Sequence, residues 1–333
     1  AGREFVYISD PTAIREVFAN EGQYPKHFIP EAWLLYNEDR QAKRGLFFME
    51  DEEWKSSRRV LNRRLLRSDA MRPHYASFAE VAESLVQHWT KSYTGSVIPN
   101  LEKELYRWAI ESLGVMVFGC RLGFMGHQET TTASPDETSF RSSEMEKFIS
   151  AIHGIFKETC AMGTFPPALA RALKLPMWTK FAETYDRALA AGQQLILDGL
   201  HSSRERLSQG QEPHSLLDQL VFGEQMQDED IVSLLTDLFL AAADTTSHTA
   251  MWSLYLLGRH PHVVEKARQE IQMATGGSDA VRGEHLSSLP YLKGVINETL
   301  RLYPVAPFIT RALDRDTLLG DIWFPLGPWV ILS

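Results

Sequence analysis

Three short clusters carry side chains whose types and spacing could do chemistry. Ala241-Ala242-Ala243-Asp244-Thr245-Thr246 sets an acid and two hydroxyls behind three small residues. Small side chains let a flat group approach the backbone, and the acid can pass a proton. A threonine hydroxyl can also bond back to a carbonyl of the preceding turn and open the helix there. Glu298-Thr299-Leu300-Arg301 places opposite charges three apart on one helix face, where they can pair. Pro304 then ends that helix, because the residue before a proline is pushed toward extended chain. Trp54-Lys55-Ser56-Ser57-Arg58 puts an indole and a guanidinium four apart, so that both can face one anionic ligand with an aromatic edge. Each cluster alone has a plainer account. The first could be a packing contact with a satisfied polar pair, the second a surface ion pair, and the third a solvated basic face continued by Arg59, Arg63, Arg64 and Arg67.

The elements that must position these clusters are mostly helical. The first cluster sits mid-way along a segment running from about Asp228 to Arg259 and ending at His260-Pro261. Asp228, Glu229 and Asp230 load its start with acid, as the helix dipole favours. Its length far exceeds that of an ordinary helix, which points to a helix threading the core. Tyr75 to Trp89 and Leu101 to Phe118 repeat apolar residues at helical spacing. Gly119 and Gly123 then mark a turn. Asp10-Pro11-Thr12 opens a helix to about Ala19, after a β-like run at Phe5 to Ile8. Phe148 to Met162 and Phe181 to Leu200 are amphipathic helices, separated by Phe165-Pro166-Pro167 and Leu175-Pro176. Gln128 to Thr138 reads as a polar surface loop, and Ser202 to Ser215 as a solvated connection. Short strands return at Thr317 to Leu319 and Trp329 to Leu332. The expected class is mainly α with a minor sheet, and no internal repeat suggests a solenoid.

Composition narrows the function. The chain has 333 residues, 44% hydrophobic and 23% charged, with a net charge of −9. That balance argues against nucleic-acid binding, which shows as a clustered basic excess. The two cysteines, Cys120 and Cys160, fall in apolar, helix-like stretches and are too few for a disulfide framework. No Cys/His spacing of a zinc site occurs, and no run of about 18 apolar residues suits a spanning helix. The chain opens on Ala-Gly-Arg-Glu and stops inside the apolar run Trp329-Val330-Ile331-Leu332, so both ends are expected to be edges of a fragment.

Taken together, in this order and spacing, the three clusters resemble the cytochrome P-450 family of haem-thiolate monooxygenases. There, an (Ala/Gly)-Gly-x-(Asp/Glu)-Thr-Thr motif crosses the distal face of the haem. A Glu-x-x-Arg helix lies on the proximal side, and Trp-x-x-x-Arg holds a haem propionate. The resemblance covers nearly the whole chain and implies a single cytochrome P-450 domain over residues 1–333. Glu52-Glu53-Trp54 leading to Val60-Leu61-Asn62, Leu105-Tyr106-Arg107-Trp108-Ala109-Ile110-Glu111-Ser112, Phe118-Gly119-Cys120-Arg121-Leu122-Gly123, Leu289-Pro290-Tyr291-Leu292-Lys293, and Arg311 with Asp316-Thr317-Leu318-Leu319-Gly320 are similar to the mitochondrial branch. They incline the reading toward an arthropod ecdysteroid hydroxylase.

What the resemblance implies can be carried over residue by residue. Asp244 and Thr245 match the acid–alcohol pair that relays protons to bound dioxygen, with Thr246 stabilising a helix distortion. Trp54, Arg58 and Arg311 match contacts to the haem (heme, iron protoporphyrin IX) propionates, and Ala241 and Ala242 match the wall over the ring. The usual glycine of that motif is Ala242 here. Glu298 and Arg301 would be structural, buried beneath the haem, with a further arginine downstream that these residues lack. Lys293 matches a basic position for docking an adrenodoxin-like ferredoxin, whereas the second lysine of that site is Asn297. The family's Phe-x-x-Gly-x-Arg-x-Cys loop is not in these residues. No metal ligand is therefore assigned, and the fragment by itself is expected to be inactive.

The resemblance implies a parent enzyme that hydroxylates a steroid-like apolar substrate, on the matrix side of the mitochondrial inner membrane with peripheral membrane contact. Substrate would enter past the Phe165–Phe181 region and the Val305-Ala306-Pro307-Phe308-Ile309 turn. The alternatives are a non-catalytic truncated product that binds apolar ligands, and a haem-thiolate isomerase, which would not need the Asp244–Thr245 relay.

Overall fold

The computed structural model describes residues 5–67, 69–125, 135–223, 226–278, 280–313, 315–319, 322–324 and 329–333. A β-strand, β1 (Phe5–Ile8), is followed by the helices α1 (Pro11–Ala19), α2 (Glu31–Arg40), α3 (Asp51–Leu65), α4 (Tyr75–Tyr93), α5 (Leu101–Phe118), α6 (Pro135–Met162), α7 (Pro167–Ala172), α8 (Pro176–Ser208), α9 (Leu216–Gly223), α10 (Asp228–Arg259), α11 (Pro261–Thr275) and α12 (Pro290–Leu302). Strands β2 (Ile309–Ala312), β3 (Thr317–Leu319), β4 (Ile322–Phe324) and β5 (Trp329–Leu332) complete it. The class is helix-rich with a small sheet, as the sequence implies.

Local chemistry sets the helix ends. Asp10 caps α1 by accepting from the Ala13 N–H at 2.7 Å, and Pro11 fills the first position, where a missing N–H costs nothing. Asn100 caps α5 through Lys103 N at 3.0 Å. Gly119, at φ 72°, closes α5 in the left-handed conformation that glycine adopts without strain. Cys120 therefore lies just past α5 rather than inside a helix, Cys160 lies within α6, and both are exposed.

The main core is built where α10 packs along α5 and α8, with α6 and α9 closing the sides. Phe181, Tyr185, Phe239, Tyr106 and Ile152 are its largest fully buried side chains, each aromatic or branched aliphatic stabilising by roughly 1.5–3 kcal/mol. A smaller cluster under the sheet joins Ile8, Val17, Leu319, Val330 and Leu332. In that sheet β5 lies between β1, parallel with Phe5 opposite Trp329, and β2, antiparallel with Arg311 opposite Val330. The two termini of the described chain are thus bound together.

Two sequence expectations fail. The solvated connection expected from Ser202 begins inside α8, which runs through Ser208. The buried stripe of Ile196 and Leu200 runs on to Ser203, which is wholly buried and donates to Asp218. The polar loop expected at Gln128 to Thr138 lies partly outside the described residues, and from Pro135 onward it is the first turn of α6.

Candidate active site

The helix α10 runs unbroken through Ala241 to Thr246. Its period sorts the motif onto two sides. Ala243 and Ser247, one turn apart, are buried toward the core, while Ala241 and Thr245 are exposed on the opposite face. The Thr245 hydroxyl donates to the Ala241 carbonyl at 3.0 Å. This back-bond belongs to Thr245 and not to Thr246, and it interrupts nothing, because a carbonyl four residues back is within a threonine's reach in a regular helix. An alcohol on an open face beside small residues is thereby held in one orientation.

Asp244 points the other way. The buried Tyr106 of α5 donates its hydroxyl to Asp244 Oδ1, and burial, reinforced by that carboxylate, holds the phenol well above its usual range. His248, one turn further along α10, places Nδ1 3.6 Å from Asp244 Oδ1 and Nε2 3.9 Å from Glu102 Oε1. His153 of α6 packs its ring edge-on against Tyr106, with centroids 4.4 Å apart. Sequence reading missed all four of these residues. Tyr106 stood only as part of a subfamily string, yet His248 follows Asp244 by four, a spacing that puts the two on one face.

The basic cluster on α3 splits as expected for an amphipathic helix. Trp54 is half-buried against Met49, Leu61 and Leu234, so it ties α3 to the first half of α10. Arg58 is exposed and has no ion-pair partner among the described residues. Arg311, on β2, forms an ion pair with Glu21 and lies 5.2 Å from the Phe18 ring. Beside it, His27 packs on Phe47 with ring centroids 4.4 Å apart, and its buried Nε2 has no hydrogen-bond partner. Burial pushes that imidazole below its usual range, and the Arg311 charge adds to the effect.

On α12 one expectation is corrected. Glu298 and Arg301 are not buried: their side chains are 55% and 66% exposed, joined by two hydrogen bonds of 2.7 and 2.8 Å. The arginine holds the Glu298 carboxyl below its usual range. The reason is the helix phase, since Thr299 is the residue α12 buries, and Glu298 beside it only lines the apolar pocket between α10, α11 and α12. Lys293 is exposed on the same helix.

These helices meet on α10. Leu234 receives α3, while Trp252 stacks on Tyr303 just past α12, with centroids 4.1 Å apart and planes 7° from parallel. Ala241 to Thr246 therefore lies between the two docking points. Ile296 of α12 lines an apolar groove with Thr245, Thr246 and Thr249. Near α2, a cleft of about 400 Å³ is lined by Phe28, Pro30, Ala32, Met162 and Phe165. Phe165 is therefore at a surface opening, while Phe181, at the other end of the segment named as an entrance, is wholly buried core. Phe308 and Ile309 are exposed.

The profile of the family described as Cytochrome P450 matches residues 1–333. The chain belongs to the cytochrome P450 family. It is 33% identical to the mitochondrial cytochrome P450 315a1 of Drosophila melanogaster over 99% of its own length and 61% of that relative's. It is 29% identical to the mitochondrial cholesterol side-chain cleavage enzyme of Oncorhynchus mykiss, covering 98% of the chain and 62% of the relative. It is 32% identical to the mitochondrial 25-hydroxyvitamin D-1 alpha hydroxylase of Mus musculus, covering 98% and 64%. The chain thus spans a little over three fifths of the length of these relatives. The family's cofactor, haem, fits the residues present. A flat ring needs small side chains over it, as at Ala241 and Ala242. Its two carboxylates need cations and donors, which the exposed Arg58, the Glu21-paired Arg311 and His27 Nε2 can supply.

Proposed function

We propose that the whole protein is a haem-dependent monooxygenase. It takes electrons from a ferredoxin and inserts one atom of dioxygen into a steroid-like apolar substrate. The observation that carries this is the two-sided arrangement on α10: Thr245 open beside Ala241, and Asp244 turned back into a polar cluster with Tyr106 and His248. Bound haem supplies the activation of dioxygen, and its thiolate comes from polypeptide outside these 333 residues, since neither Cys120 nor Cys160 has the flanks of a haem loop.

The chain's own residues divide the remaining work. Arg58 and Arg311, with Trp54 beside Arg58, hold the propionates, because a guanidinium gives a planar, always-charged fork. Ala241 and Ala242 leave room for a ring and a diatomic ligand. Thr245, fixed by its bond to Ala241, offers its hydroxyl on the open face, and Asp244 restores the proton that hydroxyl passes on. Glu298 and Arg301 pair to fix the outer face of α12. The exposed Lys293 provides a charge for the ferredoxin, a contact that steers encounter more than it adds affinity.

The relatives' names, which specify cholesterol and 25-hydroxyvitamin D, favour a sterol-shaped substrate and mitochondrial placement. The cleft at Phe28, Met162 and Phe165 is its entrance. Leu169 and Leu173, exposed at α7 beside that cleft, give a peripheral membrane contact on the matrix side of the inner membrane. The test is product analysis with the complete protein, a ferredoxin, its reductase and a sterol panel. Hydroxylated sterol that requires dioxygen and is lost in Thr245→Val is the expected result, and turnover that is indifferent to Thr245 would overturn the assignment.

A further inference from the structure

Asp244 is a half-buried acid, and a carboxylate that gives up a proton must be resupplied. One group of side chains, drawn from three helices, leads from it to solvent. Tyr106 donates to Asp244 Oδ1, and His248 Nδ1 stands 3.6 Å from the same oxygen and 3.0 Å from the Asp244 carbonyl. His248 Nε2 is 3.9 Å from Glu102 Oε1, and His153 Nε2 is 3.7 Å from that oxygen. Side-chain exposure rises along this path, from 14% at Asp244 to 28% at His248 and 46% at Glu102. Among the described residues, the charged and titratable groups recorded against His248 are Asp244 of its own helix and Glu102 and Tyr106 of α5, and His153 of α6 meets that same glutamate and tyrosine.

A buried acid already satisfied by a tyrosine needs no second partner, so two imidazoles gathered on one half-exposed glutamate call for a function. Imidazole can accept a proton on one nitrogen and release another from the opposite one, and it is the side chain suited to do so near neutral pH.

We propose that Glu102 and His248 form the proton entry to Asp244, with Tyr106 as its positioning residue. A proton from water reaches Glu102 and passes to His248 Nε2. The ring releases its Nδ1 proton to Asp244, keeps the one on Nε2, and regains its starting tautomer by proton exchange with water at its partly exposed edge. No electrons move in this chain. The two gaps close through a bridging water or a side-chain rotation, as such contacts do on loading. Tyr106, protonated in its buried site, aims the carboxyl and lends no proton of its own. The proposal rests on the monooxygenase reading of Asp244 and Thr245.

The test needs no substrate. The complete, haem-loaded protein receives electrons from a ferredoxin and its reductase, with dioxygen as the probe. Reduction to hydrogen peroxide consumes two electrons and two protons per dioxygen, and reduction to water consumes four of each, so starving the site of protons slows the second more. Glu102→Gln and His248→Gln are expected to slow water formation by on the order of tenfold, raise the peroxide share and flatten the pH–rate profile. Tyr106→Phe should slow it while keeping the shape of the profile. The spectrum of the reduced carbon monoxide complex, unchanged in all three, reports intact fold and haem. Independently of turnover, the ¹⁵N resonances of His248 should shift in both Asp244→Asn and Glu102→Gln. A His248 signal indifferent to Asp244→Asn, or wild-type kinetics in both Glu102→Gln and His248→Gln, overturns the relay. If Thr245→Val changes the peroxide share while those two variants do not, the relay alone fails. If Thr245→Val changes nothing, the reading beneath it fails as well.

Discussion

Removing the charge of Asp237, one turn before the motif on α10, should unpin the loop that feeds α3. Arg44 of that loop is buried, with side-chain exposures of 7% for Arg44 and 12% for Asp237. Its Nε and Nη2 donate to Asp237 Oδ1 at 3.2 and 2.7 Å, and Nη1 donates to Asn37 at 3.0 Å. The Gly45 N–H takes Asp237 Oδ2 at 2.7 Å, and the guanidinium lies 4.2 Å from the Phe48 ring. Asp237→Asn keeps the shape and the acceptor for Gly45 but leaves the arginine charge buried among Asn37 and the rings of Phe48 and Tyr185. Stranding a charge this way costs about 3–5 kcal/mol.

The pair itself has little net worth against an uncharged one, so Arg44→Met with Asp237→Asn should return to within about 2 kcal/mol of the parent. Urea unfolding followed by far-ultraviolet circular dichroism measures both. A loss below about 1 kcal/mol for the single variant would refute the reasoning, since that is the range of an exposed pair. A double variant less stable than the single would refute it equally.

Other outcomes follow from the same coordinates. Gly199→Ala puts a Cβ 2.4 Å from Phe118 Cε1 and 3.3 Å from Leu217 Cδ2, which should cost about 1–3 kcal/mol of overpacking, read as a lowered thermal midpoint. Burial alone would push the Asp218 carboxyl up, but Ser203, Ser215, the His214 N–H and Arg206 together hold it below its ordinary range. Its stabilisation is therefore complete at neutral pH and is lost on acidification, as pH falls from the usual carboxylate value toward the depressed one. Stability of Asp218→Asn measured against pH should fall less steeply in that acid window. Arg58→Ala, at an exposed position, should leave unfolding within about 0.5 kcal/mol of the parent yet speed haem transfer to apomyoglobin.

Much of the scaffold was legible in the sequence because it rests on local signals. The acid-loaded start of α10 and its end at His260-Pro261 fixed both boundaries, and Gly119 marked the end of α5. The far end of α8 was not legible, since charged residues on the solvent face of a helix look like a solvated connection until Ser203 and Asp218 are seen paired. At the site, types and order singled out Asp244, Thr245 and Arg58 as candidates, but spacing carries no information on what crosses from another helix. Tyr106 and Glu102 reach the α10 acid only through the packing of α5 on α10. The exposure of Glu298 and Arg301 likewise follows from which face α12 buries, a phase that a four-residue motif does not determine.

The central claim is that α3, α10 and β2 present one haem site. It is tested most directly by reducing the complete gene product under carbon monoxide, for the parent and for Arg58→Ala with Arg311→Ala. A thiolate-type Soret band in the parent, with haem retention sharply weakened in the double variant, is the expected result. A complete protein that takes up no haem, or a double variant that holds it as firmly as the parent, would contradict the account.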